Sequence, residues 1–72
     1  MKLARARYTD GGTWFVDKPY SMINQPPVGT IVQYKQSVDD RYEVYFPGVH
    51  GYAPMSGWVF NMYFEALDNE TS

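Results

Sequence analysis

The chain has 72 residues and no cysteine; 44% of it is hydrophobic, 18% is aromatic, and its formal net charge is -2. That length supports one hydrophobic core and not two, and the ring content is enough to fill a small core, which excludes disorder over most of the chain. The absence of cysteine excludes disulfide staples, cysteine-ligated zinc and thiol chemistry, and the slight acidic excess removes a global pull towards a phosphate backbone.

The first element is expected at Leu3 to Tyr8, where Leu3, Arg5 and Arg7 alternate with Ala4, Ala6 and Tyr8 in the period of a half-buried strand. The small alanines belong to its core face. Lys2, Arg5 and Arg7 precede no apolar run, so neither a signal peptide nor a membrane span is expected, and the cytoplasm is the compartment this favours. Asp10-Gly11-Gly12 carries a turn signal because glycine accepts the positive φ of tight turns; Thr13 to Val16 then reads as a short strand completing a first hairpin.

Between Asp17 and Gly29, Pro19, Pro26 and Pro27 lack the N–H that a paired strand donates, which predicts a long loop. Tyr20, Met22 and Ile23 make that loop apolar enough to lie against the body of the domain, and loops of this length are often functional. Thr30 to Lys35 and Tyr42 to Phe46 are rich in β-branched and aromatic residues and are joined by the polar stretch Gln36 to Arg41, so they predict a second hairpin with one buried face per strand. Pro47-Gly48 marks a further turn, and Val49 to Pro54 fits a short strand or an irregular crossing. Gly57-Trp58-Val59-Phe60 reads as a strand, Asn61-Met62-Tyr63 as one tight 3-10 turn, Phe64 to Leu67 as the closing strand, and Asp68 to Ser72 as a frayed polar tail. The expected fold is therefore all-β: a small barrel of five to six strands over residues 1–67, with one short 3-10 turn.

The order of these features resembles the SH3 families, bacterial and eukaryotic. Gly29-Thr30-Ile31-Val32 resembles their Gly-led strand, Tyr42-Glu43-Val44-Tyr45 their aromatic strand, and Gly57-Trp58-Val59 their penultimate strand. Asn61-Met62-Tyr63-Phe64 is similar to their one-turn helix ending in tyrosine, Arg5-Ala6-Arg7-Tyr8 to their first strand, and the stretch from Asp17 to Pro27 to their long first loop. The resemblance implies an SH3-like barrel that binds and does not catalyse. Eukaryotic members recognise polyproline ligands through a proline and a tyrosine of the helical turn, a hairpin tryptophan and acidic residues of the first loop. Here Phe60 stands in place of that proline, Tyr42 in place of the tryptophan, and only Asp10 and Asp17 remain of the acidic loop. These departures lead away from proline-rich peptides. A free-standing domain of this size resembles the small accessory proteins of phages and mobile elements, which bind and modulate a host protein.

The inventory for catalysis is thin. His50 is the single histidine and reads as a surface hairpin residue; Asp39-Asp40 reads as a pair of solvated turn formers. Ser21, Ser37 and Ser56 lack a nucleophile elbow, and Gly11-Gly12 has no phosphate-loop lysine after it. No enzyme activity, cofactor or metal site is expected. What remains is a surplus of rings: Tyr20, Tyr34, Tyr42, Tyr45, Tyr52, Trp58 and Tyr63 cannot all fit inside so small a barrel, and exposed Tyr and Trp favour a protein interface. The expected partner-binding residues are Tyr20, Met22, Tyr42, Tyr52, Trp58 and Tyr63, and the expected partner is another protein or peptide. The alternative is a nucleic-acid contact with Arg5, Arg7, Lys18 and Lys35 on one face and rings for stacking. Self-association through an exposed edge strand is compatible with either.

Overall fold

The computed structural model describes residues 1–17 and 20–67; the expected polar tail, Asp68 to Ser72, lies outside the described residues, as does Lys18. Seven strands and one helix follow in the order β1 (Lys2–Ala6), β2 (Thr13–Val16), β3 (Ser21–Asn24), β4 (Ile31–Gln36), β5 (Arg41–Tyr45), β6 (Ala53–Ser56), α1 (Gly57–Tyr63) and β7 (Phe64–Ala66). Five strands make one antiparallel sheet in the order β6-β5-β4-β1-β7, strongly curled into a half-barrel, while β2 and β3 pair only with each other.

The curl follows from the inner face. Ala4 and Ala6, both buried, put almost no volume on the concave side of β1, and that space admits the rings of Phe46, Phe60 and Phe64, each at most 5% exposed. Ala4 stands opposite Val32 on one side and Ala66 on the other, and Ala6 opposite Phe64. Val32, Tyr34, Val44, Ala53 and Met55 complete the core. Phe60 is its centre, stacked on Tyr42 with ring centroids 4.5 Å apart and planes at 10°, and packed on Tyr34 at 4.7 Å and Phe64 at 5.5 Å.

The second expected hairpin is present: β4 and β5 pair antiparallel with Tyr34 opposite Val44, and the alternation of each strand puts Val32, Tyr34 and Val44 inside. The expected closing strand is β7; of the stretch Val49 to Pro54, residues 49–52 are the irregular crossing and only Ala53 and Pro54 belong to a strand, β6. Four expectations need correction. The first hairpin does not form, because both edges of β1 are taken by the distant strands β4 and β7, and β2 folds instead onto β3. The segment from Asp17 to Gly29 is consequently not all loop. Its prolines at Pro26 and Pro27 follow β3 and leave Ser21–Asn24 free to pair. Gly57 to Phe60 is helical, not a strand, and the expected 3-10 turn is the end of a seven-residue α-helix. With Gly57 and Phe60 buried on α1 and Phe64 just after it, the apolar spacing is three and four, the helical period, too short to register in the sequence. Among the described residues there are seven strands, of which five form the curled half-barrel, within the five to six expected, and two form the separate ribbon.

Backbone bonds lock these pieces together. The Arg7 N–H donates to the Tyr63 carbonyl at 2.9 Å and the Gly57 N–H to the Asp40 carbonyl at 2.7 Å, which fixes both ends of α1 against the sheet. Asp17 and Tyr52 form an isolated antiparallel bridge, with the Asp17 N–H donating to the Tyr52 carbonyl at 2.8 Å, and this ties the β2–β3 ribbon to the start of β6.

Candidate functional site

The turn between β1 and β2 is built from side chains that bond backbone. Asp10 Oδ1 accepts the Gly12 N–H at 2.9 Å, and Gly11, at φ +80°, supplies the left-handed residue the turn requires. The Gln25 side chain, just after β3, accepts from the Thr9 hydroxyl at 2.6 Å and from the Asp10 N–H at 3.1 Å, so both ends of the ribbon hold the turn. The Tyr63 hydroxyl, from the last turn of α1, donates to Asp10 Oδ2 at 2.8 Å and bridges helix to turn. Arg7 also donates a hydrogen bond to the Asn61 carbonyl.

These contacts frame a groove of about 390 Å³ between the ribbon and α1. Its floor is aromatic: Trp14 meets Tyr63 edge to face at 5.0 Å and 84°, and outside the groove Tyr8 packs on Tyr63 at 5.3 Å. One rim is the outer side of α1, where Trp58 is 65% exposed and Met62, one turn later, 44% exposed. The other rim is Asp10, Gly12 and Thr13. The Tyr63 hydroxyl and then the Gly12 N–H hold the Asp10 carboxyl below its ordinary value of 3.8, and the same bond to Asp10 pushes the Tyr63 phenol above 10.0. The groove therefore presents a fixed anion beside three rings.

Trp58 and Tyr63 are the sequence-named residues that meet in this groove. Tyr20 and Met22 lie on the outer side of the ribbon, 74% and 52% exposed, with the Tyr20 ring edge to face on Phe15 at 4.8 Å. Tyr42 is half-buried on Phe60, and Tyr52 packs on Tyr45 at 5.8 Å; these two line a separate, more polar depression with Arg41, Glu43 and Pro54. Sequence reasoning missed Asp10, Trp14 and Met62. The spacing of Trp58 and Met62, four apart, was the available signal once the segment is read as a helix, while Trp14 depends on which strand β2 pairs with.

Of the basic residues of the alternative reading, Arg5 and Lys35 share the outer face of the sheet, and Lys18 lies outside the described residues. Arg5 forms an ion pair with Glu65, and Lys35 stands directly across from Glu43 in the sheet. Among the described residues no group of three or more His, Cys, Asp or Glu side chains is placed to hold a metal ion, and no helix is long and apolar enough to cross a membrane. Comparison of the chain with protein-family models, curated proteins and solved structures gives no match.

Proposed function

We propose that this chain is a non-enzymatic protein-binding module of the SH3-like kind, and that it binds through the aromatic groove between the ribbon and α1. The observation that carries this reading is Trp58, a large ring left 65% exposed beside Met62, above a floor of Tyr63, held by its hydrogen bond to Asp10, and Trp14, packed edge to face on Tyr63. Rigid, exposed rings next to a concavity supply contact area at low entropic cost, which is the composition of interface hot spots. The SH3-like reading draws support from the order of parts: the β2–β3 ribbon occupies the place of the long first loop, β4 and β5 that of the Gly-led and aromatic strands, and α1 with Tyr63 that of the helical turn before the closing strand. Binding another protein and modulating it, as an accessory protein does, is the action this reading assigns.

A protein partner is favoured over nucleic acid because acidic residues outnumber basic ones, Arg5 is paired with Glu65, and Lys35 stands across from Glu43. The test is affinity capture with the tagged chain from a lysate, with nuclease treatment and a salt series, comparing wild type with the double variant Trp58→Ala, Met62→Ala. Both side chains are largely exposed, so the fold survives their loss. The reading expects a protein partner that resists nuclease and salt and is lost at least tenfold in the variant. Capture that disappears with nuclease or with moderate salt points instead to nucleic acid, and capture unchanged in the variant places the interface elsewhere.

A further inference from the structure

We propose that β3 is a docking edge for a second copy of this chain, the two β3 strands pairing antiparallel about a two-fold axis that passes between their Met22 residues. The hydrogen-bonding parity of the ribbon is set by two separate contacts. The Gln25 N–H donates to the Gly12 carbonyl at 3.1 Å, so Gly12 and Gln25 are a bonded pair and, two residues on, so are Trp14 and Ile23. Asp17 turns its backbone groups away from β3, towards Tyr52, which is the same parity read from the other strand. The N–H and C=O of Met22 and Asn24 therefore point out of the ribbon on the side away from β2. Among the described residues no backbone bond is made by the Met22 or Asn24 N–H to another strand.

The two edges of the curled sheet are guarded and this one is not. β6 carries Pro54, which offers no N–H, and the ribbon is bridged to the chain just before it. β7 has only three residues, with Glu65 in an ion pair to Arg5. β3 is Ser-Met-Ile-Asn, without proline or charge, and no charged residue occurs from Gly11 to Val16 or from Tyr20 to Tyr34. In a chain of net charge -2 this neutral ribbon is where two like-charged copies can approach without repulsion.

A second copy also matches the side chains. Two-fold pairing sets Met22 against Met22 and Tyr20 against Asn24, and joins the two ribbons into a four-stranded sheet with Phe15, Tyr20 and Met22 of both copies on one face. Phe15 and Tyr20 are 38% and 74% exposed; at about 150–250 Å² per aromatic side chain, the two rings leave roughly 170–280 Å² open per copy. That is well below the roughly 800 Å² per partner of a standard interface, so the dimer is weak and forms at high protein concentration.

The test is sedimentation equilibrium over a wide concentration series with wild type, Met22→Lys and Asn24→Pro, each checked for folding by circular dichroism. Asn24→Pro removes an outward N–H and costs the ribbon no internal bond; Met22→Lys sets two positive charges face to face. The expected result is a wild-type mass that rises from one chain towards two, an association constant at least tenfold lower in both variants, and no change in Trp58→Ala. A wild-type chain that stays monomeric throughout overturns the proposal. So does a dimer that neither variant weakens, or one that Trp58→Ala weakens instead, since that pairing uses the groove. Should one variant fail to fold, concentration-dependent shifts of the Met22 and Asn24 amide resonances in wild type decide the question, and their absence also overturns it.

Discussion

In the curled sheet most apolar residues follow the pleat, with Ala4, Val32, Tyr34, Val44 and Met55 inside and Arg5, Gln33, Lys35 and Glu43 outside, where Leu3 and Ile31 are the apolar exceptions. In the β2–β3 ribbon both faces are apolar: Trp14 and Ile23 are half-buried towards the core, while Phe15 and Met22 point to solvent with Tyr20 beside them. A two-stranded ribbon has a core on one side only, so folding accounts for Trp14, Ile23 and the fully buried Val16 but gives no use for Phe15, Tyr20 and Met22. The same holds for α1, where Phe60 is buried and Trp58 on the opposite side is not. The sheet is a scaffold, and the ribbon and the outer side of α1 carry apolar surface that stability does not require. That contrast is what substitutions can break or sharpen.

The largest effect is expected at the scaffold's centre. Phe60→Ala removes a ring that is 1% exposed and packed on three others, at a cost of about 3–5 kcal/mol. A domain of this length has a total stability of roughly 4–11 kcal/mol, so urea unfolding should show a large fall in the midpoint of this variant at unchanged slope. Next comes the joint between sheet and helix. A Cβ at Gly57 would overlap the carboxylate of exposed Asp40, a side chain free to swing aside, so Gly57→Ala should cost no more than about 1 kcal/mol. Adding Asp40→Ala to that variant removes the overlapping atoms and should recover part of the loss, whereas no recovery would mean that the backbone itself is displaced.

Asp39 sits at φ +56° in the turn between β4 and β5, a conformation that is free only for glycine. Asp39→Gly should raise stability by up to about 1 kcal/mol, read as a higher urea midpoint at unchanged slope. At the groove the effect is one of pH. Because the folded Asp10 carboxyl titrates below its unfolded value of 3.8, its contribution is present above that value and is lost as pH falls through the folded one. Asp10→Asn should flatten the acid limb of stability against pH, and should return the Tyr63 phenol towards 10.0 in an absorbance titration. Smallest of all, Tyr20→Ser on the ribbon's open face should change stability by less than about 0.5 kcal/mol; a large loss there would give Tyr20 a folding role and erase the contrast.

The scaffold was legible because its signal is local and repeated. Thr30 to Lys35 and Tyr42 to Phe46 alternate with β-branched and aromatic residues, and Ala4 and Ala6 announce the core side of β1. The groove was legible only in Trp58 and Tyr63. Its other wall depends on β2 pairing with β3 instead of β1, a choice made by distant strands that occupy both edges of β1, and no residue near Asp10-Gly11-Gly12 reports it. The turn signal was correct, but it sends the chain out of the sheet and not back along it. Likewise Trp58-Val59-Phe60 has the composition of a strand, and the packing of Phe60 and Phe64 on one side overrides that propensity in favour of two helical turns.

The central claim is that the groove between the ribbon and α1 binds and the sheet only supports it. The most direct measurement is parallel capture with two double variants of matched exposure: Trp58→Ala, Met62→Ala on the groove rim, and Leu3→Lys, Ile31→Lys on the outer face of the sheet, where both residues are more than 40% exposed. Loss of the partner from the first with retention by the second is the result this account predicts; retention by the first and loss from the second would contradict it.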